Sequence, residues 1–488
     1  MTTLVPARPT GHDDDTVVIA ELHELLSLQR RAFRAEHYPS LDVRRERLAA
    51  LASMIVTNRQ RIRDAMSADF AVHPELFTDL VEVLGVAGRA AYAAEQLEVW
   101  TAPDERYADP AFYGTGRAAV RYQPKGVVGN IVPWNFPFDL SVGPLVEMIA
   151  AGNRVVIKPS DYTPACAELL QEMVSATFDR DLVAVSVGGL QLARTFPTLR
   201  WDHLLYTGSP AIGREVAKAA AENLVPVTLE LGGKCPAVIA EDSIDEQTVK
   251  TVLGTKMIKN GQMCISVDYA LVPRAQMERF VQLADAFVTE GVPGYANSGD
   301  CTGMISERHL DRVQGLLDEA ASAGVRVVPL GGNSTVDRTR RQMPVTLVVD
   351  PPADLAVMNE EIFGPVLPVV PYDSLDEAVD AINDGERPLA LYVFSKDAAT
   401  SDWVLENTIS GGACVNTCAA HAALPSMGFG GIGQSGSGRH HGIEGFREFS
   451  NPRGVFVRGE NDLIDAFLPP YGATAQAVVD GAFNPPPQ

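Results

Sequence analysis

Basic residues are the clearest shortage in this chain: 40 Lys and Arg stand against 62 Asp and Glu, a formal charge of −22 over 488 residues. Such a field repels nucleic acid and anionic membrane surfaces, so neither is expected as a partner. Long apolar runs are missing too. The most apolar region, 126–157, is interrupted by Asn130, Asn135, Asp139 and Glu147, and no stretch reaches the roughly 18 apolar residues of a membrane span. Residues 1–20 carry neither a basic n-region nor an apolar h-region, so no leader is read there. Cysteine is sparse and scattered (Cys166, Cys235, Cys264, Cys301, Cys414, Cys418). Without a leader, free thiols in a reducing compartment are expected rather than disulfides. These absences describe a soluble, cytoplasmic protein.

What is present is ordinary for a globular protein, with 46% hydrophobic and 21% charged residues. The length exceeds what one hydrophobic core serves, so two or more domains are expected. Residues 1–15, polar and containing Asp13-Asp14-Asp15, read as a disordered head. Three helical stretches follow. In the second, Ser40 is an N-cap and Leu48, Leu51, Ile55 and Ile62 share one face. The third spans 74–100, with Leu76, Leu80, Val83 and Leu84 expected inward.

The segment 113–123, with Gly114, Gly116 and a strand-like Ala118-Ala119-Val120-Arg121-Tyr122, belongs to neither of the series that follow. From Val127, short apolar runs alternate with helices: strands are predicted at 127–132, 154–158, 182–187, 203–206 and 226–230. A second series, at 236–240, 269–272, 344–349, 366–371 and 392–395, follows Gly232. Alternation of this kind predicts parallel sheets with helices on both faces, here two α/β units joined near Leu231. No repeat of solenoid period is found. The last thirty residues, with Pro469-Pro470 and Pro485-Pro486-Pro487, read as an extended tail lying on a surface.

Chemistry concentrates around Cys264, in Asn260-Gly261-Gln262-Met263-Cys264. Thirty-four positions earlier Glu230 opens Glu230-Leu231-Gly232-Gly233-Lys234, and Pro133-Trp134-Asn135-Phe136-Pro137 lies upstream. A thiol, a carboxylate and an amide together describe a covalent enzyme that attacks a carbonyl and then hydrolyses a thioester. A lone cysteine is usually a small buried hydrophobe. Cys264 differs because the apolar helix at 249–258 ends just before it, leaving it on a loop. Cys235, beside Gly233 and Lys234, is the rival, but strand geometry is expected to turn it away; the other cysteines read as structural. A strand-end glutamate such as Glu230 is normally solvated, and Asn135, between two prolines, also suits a simple turn.

A Gly-x-Gly-x-x-Gly fingerprint after an early strand is missing. Gly428-Phe429-Gly430-Gly431-Ile432-Gly433 lacks the strand–turn–helix context it would need. In its place a buried strand ends in a cation and an anion, in Arg154-Val155-Val156-Ile157-Lys158-Pro159-Ser160-Asp161. Thr207-Gly208-Ser209 opens the next helix, whose N–H groups and Ser209 hydroxyl suit a pyrophosphate. His440 and His441 are adjacent rather than one helical turn apart and have no carboxylate cluster, so no metal is expected.

Four strings in order and at family-like spacing resemble the aldehyde dehydrogenase superfamily, over about residues 40–458: Pro-Trp-Asn-Phe-Pro, Glu-Leu-Gly-Gly-Lys, Gly-Gln-Met-Cys, and Glu360-Glu361-Ile362-Phe363-Gly364-Pro365. The ending Phe467-Leu468-Pro469-Pro470-Tyr471-Gly472, and Pro39-Ser40-Leu41 before an Arg-rich helix, resemble the coniferyl aldehyde branch near class 3. The resemblance implies an aldehyde dehydrogenase-like α/β fold: two doubly wound parallel-sheet domains plus a small protruding β oligomerisation element. The cofactor-binding domain would be 16–112 and 124–231, the catalytic domain 232–437, the oligomerisation strands 113–123 and 451–458, and the C-terminal tail 459–488.

It further implies Cys264 as nucleophile, Glu230 as general base for the deacylating water, and Asn135 with the Cys264 N–H as oxyanion donors. NAD is the implied cofactor. Lys158 and Asp161 would hold the adenosine ribose and Gly208 and Ser209 the pyrophosphate. Glu361 and Phe363 would meet the nicotinamide ribose and ring, and Trp134 is counted with the cofactor residues. Most relatives carry Glu where Asp161 stands, so NADP is expected to be accepted to some degree. Phe136, Leu140, Met263 and Phe429 would line a funnel for a hydrophobic, aromatic, coniferyl aldehyde-like substrate, although each also suits ordinary core. Oxidation to the acid through a thiohemiacetal and thioester, by a homodimer, is the implied function. The alternatives are a CoA-acylating or acyl-phosphate-reducing enzyme of this fold, against which Glu230 speaks, and a non-catalytic binding protein, which loss of Cys264 or Glu230 would have marked.

Overall fold

Two parallel sheets carry the structure, a computed structural model that describes residues 15–332 and 335–483. Most of the head expected at 1–15, and Pro485-Pro486-Pro487 of the tail, lie outside the described residues. Asp15, assigned to that head, instead belongs to the fold. It is buried, and its carboxylate accepts from the Gly189 and Leu192 N–H groups at 2.9 Å each. This charge caps the otherwise uncapped start of the helix Leu190–Thr195.

The first sheet has six strands in the order Gly436–Ser437, Val227–Leu231, His203–Gly208, Val127–Ile131, Arg154–Lys158, Val183–Val185. All are parallel except the two-residue edge strand, which pairs antiparallel with Val227–Leu231. The second has seven, in the order Arg326–Pro329, Thr346–Val349, Val366–Tyr372, Val267–Pro273, Cys235–Ile239, Ala390–Phe394, Gly412–Val415, and only Arg326–Pro329 is antiparallel. The central strands are near-continuous Val, Ile, Leu and Ala, buried on both faces, which is the composition parallel sheets require. The chain crosses from one sheet to the other at Gly232-Gly233-Lys234, between the strand that ends with Glu230 and Leu231 and the strand that begins with Cys235.

Ser40 caps the helix Leu41–Thr57 as expected, accepting from the Val43 N–H at 3.3 Å, and Leu48, Leu51, Ile55 and Ile62 are buried. The third helical stretch departs from its expected facing. It runs Glu75–Thr78, then a wider π-helical turn Asp79–Gly85, then Val86–Thr101. Val83 is buried, but Leu76, Leu80 and Leu84 are 73%, 63% and 58% exposed. The inward face carries Asp79, Glu82 and Arg89. Asp79 is held by Arg59 and Arg63, and Glu82 by the backbone described below. Paired charges therefore decide which side faces in, and three leucines are left outside.

A third, antiparallel sheet pairs Arg117–Pro124 with Ser450–Val457 in register from Arg117↔Val457 to Pro124↔Ser450, with Asp104–Arg106 on its other side. The segment expected as strand from 113 starts later, because Pro110–Tyr113 forms a helical turn that Gly114 ends at φ 55°. The tail is not extended throughout: Ala473–Phe483 is a helix. Its four alanines favour that form whatever the prolines on either side suggest.

Candidate active site

Cys264 owes its position to an unusual backbone. The helix Glu246–Met257 ends, and Lys259, Asn260 and Gly261 follow with φ of 49°, 54° and 77°. A side chain at Gly261 would collide with the Gly364 carbonyl, so only glycine fits that left-handed position. Gln262 locks the turn. Its amide donates to the Lys259 and Gly303 carbonyls at 2.8 and 3.1 Å, and its oxygen accepts from the Ile305 N–H at 2.9 Å. Cys264 emerges half-buried. Burial, then the Glu361 and Glu230 carboxylates, push its thiol up to about 12, only partly offset by the N–H groups of Cys264 and Ile265.

Glu230 is 2% exposed, and neither carboxylate oxygen has a hydrogen-bond partner among the described residues. Burial raises its carboxyl well above the usual range, against the pull of Arg439 and with a further push from Glu448. A Cβ on Gly430 would lie 2.8 Å from its Oε1, so the 428–441 segment passes directly over this group. Glu361 reaches the same place from the other side. A side chain at Gly232 would overlap its carboxylate, and burial and Asp268 raise it to about 8. Lys234 ties the Glu361 loop down, donating to Asp268 Oδ2 at 2.5 Å and to the Val357 and Glu360 carbonyls at 2.9 and 3.0 Å.

Asn135 is buried, its amide donating to the Gln262 carbonyl at 3.3 Å. Its own carbonyl accepts from Lys259 Nζ. Lys259 lies between the rings of Phe70 and Phe136, 4.2 and 4.6 Å from their centroids, and 3.9 Å from Glu82 Oε1. Glu82 Oε2 accepts from the Phe138 and Asp139 N–H groups at 3.0 and 2.6 Å. One buried ion pair thus grips both ends of the segment Asn135 to Asp139. The sequence reading passed over both partners; a lysine at the close of an apolar helix, and a glutamate among Val81, Val83 and Leu84, were the signals.

Cys235, at the start of its strand beside a register shift, sets its Sγ 3.4 Å from the Cys264 backbone carbonyl, and that sulfur accepts from the Ala390 N–H at 3.3 Å. The thiol is fully buried, and burial raises its pKa well above normal.

The residues expected at a cofactor form two groups. In one, Phe363, at φ 49°, sets its ring edge-on to Trp134 at 5.2 Å, and Trp134 meets His309 at 5.3 Å. In the other, Lys158 is buried with Nζ on the Pro159 carbonyl at 3.0 Å, while Asp161 is exposed and sustains the lysine's charge against burial. Gly208 lies over Tyr206, whose hydroxyl would clash with any side chain there. The Ser209 hydroxyl oxygen caps the helix Pro210–Ala221 by accepting from the Ile212 N–H at 3.5 Å, a bond that does not use its own O–H as donor. Phe136, Leu140, Met263 and Phe429 are all buried in one apolar cluster with Trp134 and Cys264 at its margin. Phe429 stacks on His421 at 6.0 Å.

Known proteins resemble this chain over most of its length. The profile of the aldehyde dehydrogenase family matches residues 20–455. A probable coniferyl aldehyde dehydrogenase of Caulobacter vibrioides is 41% identical over 93% of this chain and 95% of its own. A coniferyl aldehyde dehydrogenase of a Pseudomonas species is 37% identical over 93% and 94%. Among solved structures, substrate-bound AldH of Staphylococcus aureus superposes with a TM-score of 0.88 at 30% identity, covering 95% of this chain and 99% of that one. A Mycobacterium tuberculosis aldehyde dehydrogenase complexed with NAD⁺ gives 0.80 at 28% identity, covering 90% of each.

Proposed function

We propose, on the premise that this chain belongs to the aldehyde dehydrogenase family, the roles and substrate class that follow. The enzyme is an NAD(P)-dependent aldehyde dehydrogenase. The observation that carries the assignment of roles is the placement of Cys264 by the left-handed turn at 259–261, two residues after the Gln262 carbonyl that holds the buried Asn135 amide at 3.3 Å.

The residues present fit a dinucleotide. Gly232 leaves room for nothing but the Glu361 carboxylate, which suits a ribose hydroxyl, and Lys158 with Asp161 offers a donor and an acceptor at a strand end. Trp134 and Phe363 would flank the nicotinamide, and Gly208 and Ser209 the pyrophosphate. NADP is accepted to some degree, because Asp161 is one methylene shorter than Glu and its charge stands further from a 2′-phosphate.

Cys264 Sγ, its pKa raised by burial and so protonated at rest, first releases its proton to solvent; the thiolate then adds to the aldehyde carbon, and the carbonyl electrons move to oxygen. That oxyanion is met by the Asn135 amide, which has a second N–H beyond the one given to Gln262, and by the Cys264 N–H. The oxidised nicotinamide, when bound, supplies the hydride acceptor that converts the thiohemiacetal to a thioester. Glu230, ionised, takes a proton from water as its oxygen attacks the thioester carbon; the Cys264 thiolate leaves and the carboxylic acid is released. A raised pKa makes this carboxylate a stronger base toward the water proton than an ordinary glutamate.

The substrate class is a hydrophobic aromatic aldehyde of the coniferyl type. The buried Phe136, Leu140, Met263 and Phe429 and the names of the two relatives support that choice. The protein works in the cytoplasm, where its six unpaired thiols are stable, and as a homodimer. The decisive experiment compares two variants on an aromatic aldehyde with NAD⁺. Cys264→Ser should lose nearly all turnover, because a hydroxyl is far less ionised than a thiol. If Cys264→Ser turned over normally while Cys235→Ser did not, the roles would be reversed.

A further inference from the structure

Among the described residues, several buried side chains outside the catalytic group leave polar atoms unpartnered, and four of them, each more than nine-tenths buried, lie together. They are Arg89 (7% exposed), Glu147 (0%), His440 (0%) and His441 (4%). The atoms are Arg89 Nη1, Glu147 Oε2, and Nδ1 and Nε2 of both histidines. Leaving such groups unmet costs ~1–3 kcal/mol each, so this is a place built to hold something polar.

The four converge from three elements. Asp139, Gly143 and Glu147 lie one helical turn apart on one face of the helix Asp139–Ala151. Arg89, from the helix Val86–Thr101, sets Nη1 in the space a Gly143 side chain would occupy, and Nη2 donates to Asp139 Oδ1 at 3.3 Å. Glu147 Oε1 accepts from the Gly442 N–H at 3.2 Å, and its Cγ would lie 3.1 Å from a Cβ on Gly445. The His440 and His441 rings are 4.2 Å apart, and both sense the charge of Arg89.

The cluster adjoins the substrate pocket along the chain and through space. Phe429 pairs backbone to backbone with His440, and its ring packs against His440 and His441 at 5.3 and 5.8 Å. The next residue, Gly430, lies against Glu230. Leu140 follows Asp139 directly.

We propose that Arg89, Glu147, His440 and His441 form a polar subsite behind Phe429 that hydrogen-bonds a ring hydroxyl of a phenolic aldehyde whose carbonyl is at Cys264. This rests on the aromatic reading above and narrows it. The chemistry of the set selects a neutral hydroxyl. Burial keeps both imidazoles neutral, so each offers one N–H donor and one acceptor nitrogen. A carboxylate would meet Asp139 and Glu147, and an ammonium would meet Arg89. A hydroxyl both donates and accepts, and suffers neither repulsion.

The test compares kcat/KM with NAD⁺ for 4-hydroxycinnamaldehyde, cinnamaldehyde and hexanal. The hydroxylated aldehyde should exceed cinnamaldehyde by about ten- to a hundredfold, the worth of pairing otherwise unmet buried groups. In His440→Phe and Arg89→Met that ratio should fall to within about threefold of unity. A general loss of stability or catalysis would move both aldehydes alike. Equal values for the two in the wild type overturn the subsite and leave the aromatic reading standing. The same holds if the preference persists undiminished in both variants. Oxidation of hexanal with neither cinnamaldehyde touched overturns the aromatic reading and the subsite with it. Should both variants fail to fold, inhibition of the wild type by 4-hydroxycinnamate and by cinnamate decides: tighter binding of the hydroxylated acid supports the subsite, and equal binding overturns it.

Discussion

Replacing Lys259 by Met removes one charge from beneath the proposed oxyanion donor and keeps most of the side-chain volume. Lys259 and Glu82 are both without solvent exposure at their side chains, 3.9 Å apart. Burial lowers the lysine and raises the glutamate, and each sustains the charge of the other. Stripping one partner from a buried pair costs ~3–5 kcal/mol. Here Glu82 can take up a proton instead of remaining an isolated anion, so ~2–3 kcal/mol is expected. The kinetic loss is separate. Lys259 Nζ also holds the Asn135 carbonyl, a charge-assisted bond worth ~1.5–3 kcal/mol. If that energy keeps the Asn135 amide aligned, acylation should slow by about ten- to a hundredfold.

Rapid mixing that follows the first turnover of reduced nicotinamide measures acylation, and the denaturant midpoint measures stability. The double variant Glu82→Gln with Lys259→Met should lose less stability than the two single losses added, because the second change removes the stranded partner. Wild-type burst kinetics in Lys259→Met would refute the positioning role. Strictly additive losses in the double variant would refute the coupling.

Glu230→Gln should still give a burst of reduced cofactor and then turn over slowly as thioester accumulates; loss of the burst in a folded variant would assign Glu230 to acylation. The raised Glu230 carboxyl sets a pH trend: it ionises only above the ordinary carboxylate range, so deacylation should rise with pH through that raised value, and a flat profile would contradict its role as base. The folded form keeps a proton that the unfolded chain gives up, so this group's contribution to stability should fall as pH rises over the same window. Gly232→Ala would force the Glu361 carboxylate aside, and the KM for NAD⁺ should rise about tenfold, a cost of ~1.4 kcal/mol; an unchanged KM would remove Glu361 from the cofactor site. Light scattering at micromolar concentration should give twice the 52.4 kDa chain mass, since Ser450–Val457 leaves an outer edge with Phe456 and Val457 exposed; a monomer mass would sink the dimer.

How much of this was legible in the sequence follows from which interactions are local. Cys264, Glu230 and Asn135 stand in short strings because their backbones need particular neighbours: a left-handed Gly261, a collision-free Gly232, prolines on both sides of the Trp134-Asn135-Phe136 turn. The central strands were readable because a parallel sheet buries both faces, so runs such as Val155-Val156-Ile157 have no polar alternation to confuse them. Edge strands such as Arg326–Pro329 and Gly412–Val415 lack that signature and went unread. Periodicity found the helix after Pro74 but not its facing, because Leu76, Leu80 and Leu84 describe an apolar stripe as well as Glu82 and Val86 describe a buried one. Only the partners of Asp79 and Glu82, distant in sequence, decide between them.

The same limit hid the support of the site. Lys259 and Glu82 are 177 positions apart, and neither sits in a motif, yet together they hold the segment that presents Asn135. Groups that react are set by local backbone geometry and leave a mark on the chain around them. Groups that hold the reacting ones in place are set by contacts between elements. Their mark is a charged residue inside an apolar stretch, which can be read as an oddity from sequence and explained only when its partner is found.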